Sequence, residues 1–212
     1  SVGVQTFNDA LLKVCGREHS SEDSRKTLQF LHANKLNYSF DLLFGLPQQH
    51  LRELEADLNE LAEFSPPHVS TYIMNVPKGH AMNRNRAPEE TQAEMFDIIQ
   101  NRLSDVGLER YEISNFAKPG RESRHNLIYW TDQSYWGVGI SSHSFLKDRG
   151  SFGTRFWNPV NANEYLRQNE LSISSDQHFL ELMPSTQQET LKPNEALTDF
   201  LHTQLRCMDG VS

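Results

Sequence analysis

The side chains best placed to do chemistry are Gln5, Asp41 and Asn75, together with the polar and aromatic run from Gly120 to Trp130. The first three fall near the carboxyl ends of strand-like runs, where βα loops begin and where parallel α/β folds hold their ligands. Gln5 offers an amide that both donates and accepts; capping the following turn is the plainer role for it. Asp41 interrupts the apolar run Phe40-Asp-Leu-Leu-Phe44. A carboxylate there must find a partner or take up a proton, because leaving it buried and uncompensated costs several kcal/mol. A salt bridge with Arg17 and a ligand contact are both open. The run Gly120-Arg-Glu-Ser-Arg-His125-Asn126-Leu-Ile-Tyr129-Trp130 gathers an imidazole, an amide, two aromatic rings and guanidinium groups. Imidazole nitrogen ligates heme iron, aromatic faces pack on a porphyrin and arginine pairs with its propionates. An ordinary loop with buried rings would use the same residues.

Other chemistries lack their signatures. Ser141-Ser-His-Ser144 has no G-x-S-x-G elbow, Gly137-Val-Gly139 lacks the third glycine of a dinucleotide loop, and the nine His show no HExxH spacing. Cys15 and Cys207 are too far apart in sequence to form a CxxC pair, a zinc knuckle or a Cys-ligated iron–sulfur site. Isolated cysteines predict a reducing, cytoplasmic location. The net charge of −8 argues against a general nucleic-acid binder. No apolar run approaches the ~20 residues needed to cross a bilayer.

The elements that must position these residues follow a βα grammar in the first half. Val2–Phe7 reads as a strand leading to a short helix at Asp9–Val14, which Gly16 closes. Ser20 followed by Asp23 marks the start of a helix whose apolar stripe is Leu28, Phe30 and Leu31. Tyr38–Phe44 is a strand, and Leu51, Leu54, Leu58 and Leu61 predict an amphipathic helix behind it. Val69–Met74 is the next strand; a helix after Pro88 carries Phe96, Ile99, Leu103 and Val106 and stops at Gly107. Beyond Gly107, strand-like runs at Arg110–Phe116, Tyr135–Ile140 and Phe152–Trp157 are separated by polar, Gly-containing segments. A short helix near Asn163–Gln168, a polar stretch over Ser172–Pro193 to which no role is assigned, and an amphipathic helix from Glu195 complete the chain. The abrupt start and end predict a piece of a longer protein.

Taken in order, Ser1-Val-Gly-Val-Gln-Thr-Phe7, Gly16-Arg17 with His19, Phe40-Asp-Leu-Leu-Phe-Gly-Leu-Pro47, Tyr111-Glu-Ile-Ser-Asn-Phe-Ala117, the HNxxYW run His125–Trp130 and Gly137-Val-Gly-Ile-Ser-Ser-His-Ser144 resemble one family. It is that of the radical S-adenosylmethionine proteins related to oxygen-independent coproporphyrinogen III oxidase, and most closely its HemW-type heme chaperones. The resemblance implies the second half of a partial (β/α)6 barrel over residues 1–107, a β extension with HNxxYW over 108–160, and the start of a C-terminal helical region over 161–212. It implies that Gln5, Arg17, Asp41 and Asn75 contact S-adenosylmethionine, and that His125 ligates heme iron while Asn126, Tyr129 and Trp130 shape the heme site. A [4Fe–4S] cluster is implied too, but the CxxxCxxC motif that ligates it lies upstream in the family and is absent from these residues. The implied activity is heme transfer to an acceptor protein. Oxidative decarboxylation of coproporphyrinogen III and an inactive scaffold are the alternatives.

Overall fold

The computed structural model describes residues 1–77, 79–169 and 188–211, which form two compact units, Ser1–Ser123 and Arg124–Ser212. The first is built on a five-stranded sheet of order β1-β2-β3-β5-β4, with β1 Val2–Gln5, β2 Ser39–Phe44, β3 His68–Ile73, β4 Glu109–Arg110 and β5 Asn115–Ala117. β1, β2 and β3 run parallel, while β5 and β4 add antiparallel strands. The helices α1 Asp9–Val14, α2 Ser21–Ala33, α3 Leu51–Phe64 and α4 Glu89–Asp105 alternate with the strands, as the βα grammar requires.

Strand β2 has one wet and one dry face. Phe40, Leu42 and Phe44 are buried and join Leu28, Leu54, Leu58, Leu61, Ile99 and Leu103 in the core beneath the helices. Ser39, Asp41 and Leu43 point the other way and are half-buried. The parallel register sets Ser39 beside His68 and Asp41 beside Ser70, and the antiparallel pairing sets Ser70 beside Asn115. That second face of the sheet is therefore a polar surface.

Local signals decide the helix ends. Ser20 and Asp23 form a reciprocal capping box at α2, a device worth about 1 kcal/mol. The stripe of α2 is narrower than expected, because Phe30 is 62 % exposed while Leu28 is fully buried. In α3, Asp57 turns inward, and its Oδ1 accepts the Phe7 N–H at 2.7 Å, tying the helix to the loop after β1.

The second unit holds an antiparallel sheet of β6 His143–Leu146, β7 Thr154–Trp157 and β8 Gln188–Thr190, with α5 Arg124–Trp130, α6 Ala162–Asn169 and α7 Pro193–Gln204. The run Tyr135–Ile140 is not a strand; only Tyr135 pairs, as an isolated bridge to Phe145. A side chain at Gly137 would place its Cβ 2.2 Å from the His143 carbonyl oxygen, so this glycine permits close backbone approach rather than phosphate binding. Asn158 fixes the loop by donating to the carbonyls of Gly137 at 3.3 Å and Gly139 at 2.8 Å. Most of the polar stretch 172–193, from 172 to 187, lies outside the described residues.

Candidate functional site

The first unit carries a candidate site on the polar face of its sheet. Gln5 ends β1 with a positive φ of 68°, and its buried side chain folds back over Gly3. A Cβ on Gly3 would stand 2.7 Å from Gln5 Nε2, so the glycine leaves room for the amide. Asp41 accepts a hydrogen bond from the Ser1 hydroxyl and a long one, 3.5 Å, from Ser39. No salt bridge joins it to Arg17 among the described residues: Arg17 is exposed in the loop after α1, closed by Gly16 at φ 68°. Asn75 is exposed just beyond the end of β3. The structure thus puts Gln5 and Asp41 on adjacent parallel strands, with Arg17 and Asn75 on loops.

Behind Asp41 runs a chain of polar groups, of which the family motifs contained Tyr111, Glu112 and Asn115 but not Ser39, His68 or Ser70. The Ser39 hydroxyl meets His68 Nδ1 at 2.8 Å and Ser70 Oγ at 3.3 Å, and His68 Nε2 meets the Tyr111 hydroxyl at 2.8 Å. The Ser123 N–H donates to that same phenol oxygen at 3.2 Å. Burial pushes the His68 pKa below its ordinary value, against the pull of Asp41, Glu112 and Glu122. Glu112 is fully buried and accepts from Ser114 N–H at 2.9 Å and from the Asn115 amide, while Asn115 Oδ1 has no partner. The sequence signal for this network is the segment Tyr111–Ala117, which carries an acid that the fold buries.

The second unit contains the HNxxYW run as helix α5. Spacing of four puts His125 and Tyr129 on one face. The His125 ring is exposed, 3.0 Å from the Tyr129 hydroxyl and edge-on to its ring at 5.0 Å between centroids. Tyr129 and Trp130 help to wall a cavity of about 370 Å³, with Tyr135, Phe145 and His202. The Arg206 guanidinium lies 4.3 Å over the Trp130 ring, Gln204 donates to the Trp130 carbonyl at 2.8 Å, and Trp130 Nε1 is buried without a partner. His125 and Asn126 are not part of that wall.

The donor set of the first site, with amides, hydroxyls and one carboxylate on an open sheet face, fits a polar nucleoside such as S-adenosylmethionine. Cluster ligation does not fit this chain. Cys15 and Cys207 are both free thiols in different units, and no group of three or more His, Cys, Asp or Glu able to hold a metal occurs among the described residues. Ser144 is likewise no nucleophile: it is buried and its Oγ accepts the Gly137 N–H at 2.9 Å.

The fold has a solved counterpart. Over 97 % of its length the chain superposes on 48 % of the radical S-adenosylmethionine enzyme coproporphyrinogen III oxidase of Escherichia coli, with a TM-score of 0.67 at 18 % identity. No family model matches the chain. Among curated proteins, it is 40 % identical to the heme chaperone HemW of Bacillus subtilis over 156 residues, 69 % of this chain and 41 % of that one. It is 30 % identical to the heme chaperone HemW of Synechocystis over 220 residues, all of this chain and 50 % of the relative. The chain belongs to the HemW-type radical S-adenosylmethionine proteins. It spans about half the length of the curated relatives it matches.

Proposed function

We propose that this chain is part of a heme chaperone that binds heme at the HNxxYW helix and passes it to an acceptor protein. The observation that carries the reading is helix α5, where exposed His125 stands beside Tyr129, which in turn helps to wall a cavity lined by aromatic rings together with Asp132, Arg155 and Asp199. An exposed imidazole fits a cargo that must be released again, because a deeply enclosed ligand would leave slowly. His125 supplies the ligand to iron, Tyr129 and Trp130 the apolar contact, and Asn126 completes the site. Heme titration should give a Soret band that His125→Ala shifts and weakens by at least about tenfold, the scale of a lost strong contact. An unchanged spectrum and affinity would remove His125 as the ligand.

Residues 1–107, within the first unit, are read as the second half of a partial (β/α)6 barrel. Three parallel strands with helical crossovers support this. On it, Gln5, Arg17, Asp41 and Asn75 contact S-adenosylmethionine, with Asp41 and Gln5 accepting and donating hydrogen bonds from the sheet face. Any [4Fe–4S] cluster must draw its thiolates from residues other than these 212, so no radical step is assigned to this chain. The free thiols Cys15 and Cys207 fit a cytoplasmic protein. The fold shared with coproporphyrinogen III oxidase favours a second reading, oxidative decarboxylation. Anaerobic incubation of the full-length protein with coproporphyrinogen III separates the two, because a chaperone forms no protoporphyrinogen IX.

A further inference from the structure

A second cavity, of about 540 Å³, opens in the first unit where the loops after β2 and β3 enter α3 and α4. Its walls carry Arg52, Arg86 and His50, with Gln49, Asn85 and Thr91. No carboxylate lines it, although Arg52 Nε donates to the neighbouring Glu53 carboxylate at 2.6 Å, leaving its other guanidinium nitrogens for a ligand. In a molecule of net charge −8 such a wall is unusual. Two helices of 14 and 17 residues begin at this wall. Most of the first N–H groups of a helix have no partner within it and give its start a partial positive charge, which Glu53 in the first turn of α3 and Glu89 and Glu90 in that of α4 offset in part. The N-cap of α4 is Pro88, which provides no side-chain cap.

The independent sign of a ligand is Gln49. It is 1 % exposed and lines the cavity. Its Oε1 accepts the Leu46 N–H at 3.1 Å, which leaves the Nε2 amide as a buried donor with no acceptor. Buried donors are almost always satisfied, and an unsatisfied one costs about 1–3 kcal/mol. The site is also held firmly. Gln48 N–H donates to the Asn85 carbonyl at 2.8 Å, tying the two loops together. Arg86 Nε donates to the Gly45 carbonyl at 2.8 Å and its Nη2 to Gln92 Oε1 at 3.2 Å, so neutral groups position its charge and no carboxylate neutralises it among the described residues.

We propose that this cavity binds an oxyanion, the phosphate or carboxylate end of a small molecule, through Gln49 Nε2, Arg52, Arg86 and the helix N-termini. The site is separate from the residues assigned to S-adenosylmethionine and heme, and it stands whether or not those assignments hold. The volume exceeds what one phosphate fills, so the anion is one end of a larger ligand.

The test titrates inorganic phosphate and, separately, propionate into the full chain, following the Gln49 side-chain amide resonance by NMR and the heat of binding by calorimetry. Saturable binding with a shift of that amide is expected from at least one anion, weakened at least about tenfold in Arg86→Gln and in Arg52→Gln, as for a lost charge-assisted hydrogen bond. Phosphate alone identifies a phosphorylated ligand, and propionate alone a carboxylate. Arg86 also braces Gly45, so Arg86→Gln can fail to fold. Arg52, whose side chain is 82 % exposed, provides the variant that does not. If neither anion saturates, or if Arg52→Gln binds like the parent protein, the site does not exist.

Discussion

Asp41 sits in the middle of β2 with two hydroxyls on its carboxylate, and Gln5 reaches back over a glycine on the neighbouring strand. Gln5 was readable as the end of a strand and Asp41 as a carboxylate within an apolar run, although the fold sets Asp41 in mid-strand rather than at the carboxyl end. The groups behind them were not: Ser39, His68 and Ser70 meet only through the register of β2 and β3, which no local pattern encodes. Gly3→Ala places a Cβ against Gln5 Nε2, so it should displace that amide and weaken S-adenosylmethionine binding with little change in melting temperature, as calorimetry and a thermal melt would show. A loss of stability with unchanged affinity would mean that Gln5 only caps the turn. His68 makes a pH prediction. Its folded pKa is lowered by burial, so below the unfolded value near 6.5 the unfolded chain binds the proton more readily. Stability from this group is complete at neutral pH and falls as pH drops below about 6.5. NMR titration of the His68 ring should show it neutral at pH 7 and titrating late.

At the scale of elements, α3 carries the clearest case of a polar residue in a packed helix. Its leucines at 54, 58 and 61 are buried, as the spacing predicts, but Asp57 is 2 % exposed on the same side. Burial raises its pKa to about 6, only partly offset by the Phe7 N–H and the Thr6 hydroxyl, and Glu60 and Glu53 push in the same direction as burial. An acid whose folded pKa lies above its unfolded one holds more protons when folded. Stability is therefore greatest below about pH 4 from this group and falls as pH rises to about 6, by roughly 3 kcal/mol at most. This slope is opposite to that of His68, and the two separate in single variants. Asp57→Asn keeps the Oδ1 acceptor and removes the charge, so it should melt higher than the parent at pH 7.5 and lose the decline between pH 4 and 6. A lower melting temperature at every pH would show that the carboxylate is better paired than its geometry indicates. Helix α5 was not legible as a helix, because seven residues with rings on several sides carry no apolar period. The expected strand at 135–140 failed for a different reason. Gly137 and Asn158 shape that segment through non-local contacts, whereas strand propensity reads only neighbours.

For the molecule as a whole, the order of the larger sheet leaves β1 at one edge, paired to β2 on one side only. An edge strand presents unpaired N–H and C=O groups, and proteins normally blunt such edges with charge, proline or a bulge. β1 reads Val-Gly-Val-Gln, with Val2 half-buried, Gly3 exposed and no charge along the strand. Against association stands the net charge of −8, which repels like copies over roughly the 8 Å Debye length at physiological ionic strength. The two effects respond oppositely to salt, which lets them be told apart. If edge pairing drives self-association, sedimentation velocity of this chain should show oligomers that grow with concentration and with added salt, as screening removes the repulsion. Val2→Lys, which places a charge on the edge, should return the chain to a monomer under the same conditions. A chain that stays monomeric at high salt would mean that β1 needs no covering strand, and the reading of this unit as half of a barrel would lose its physical support.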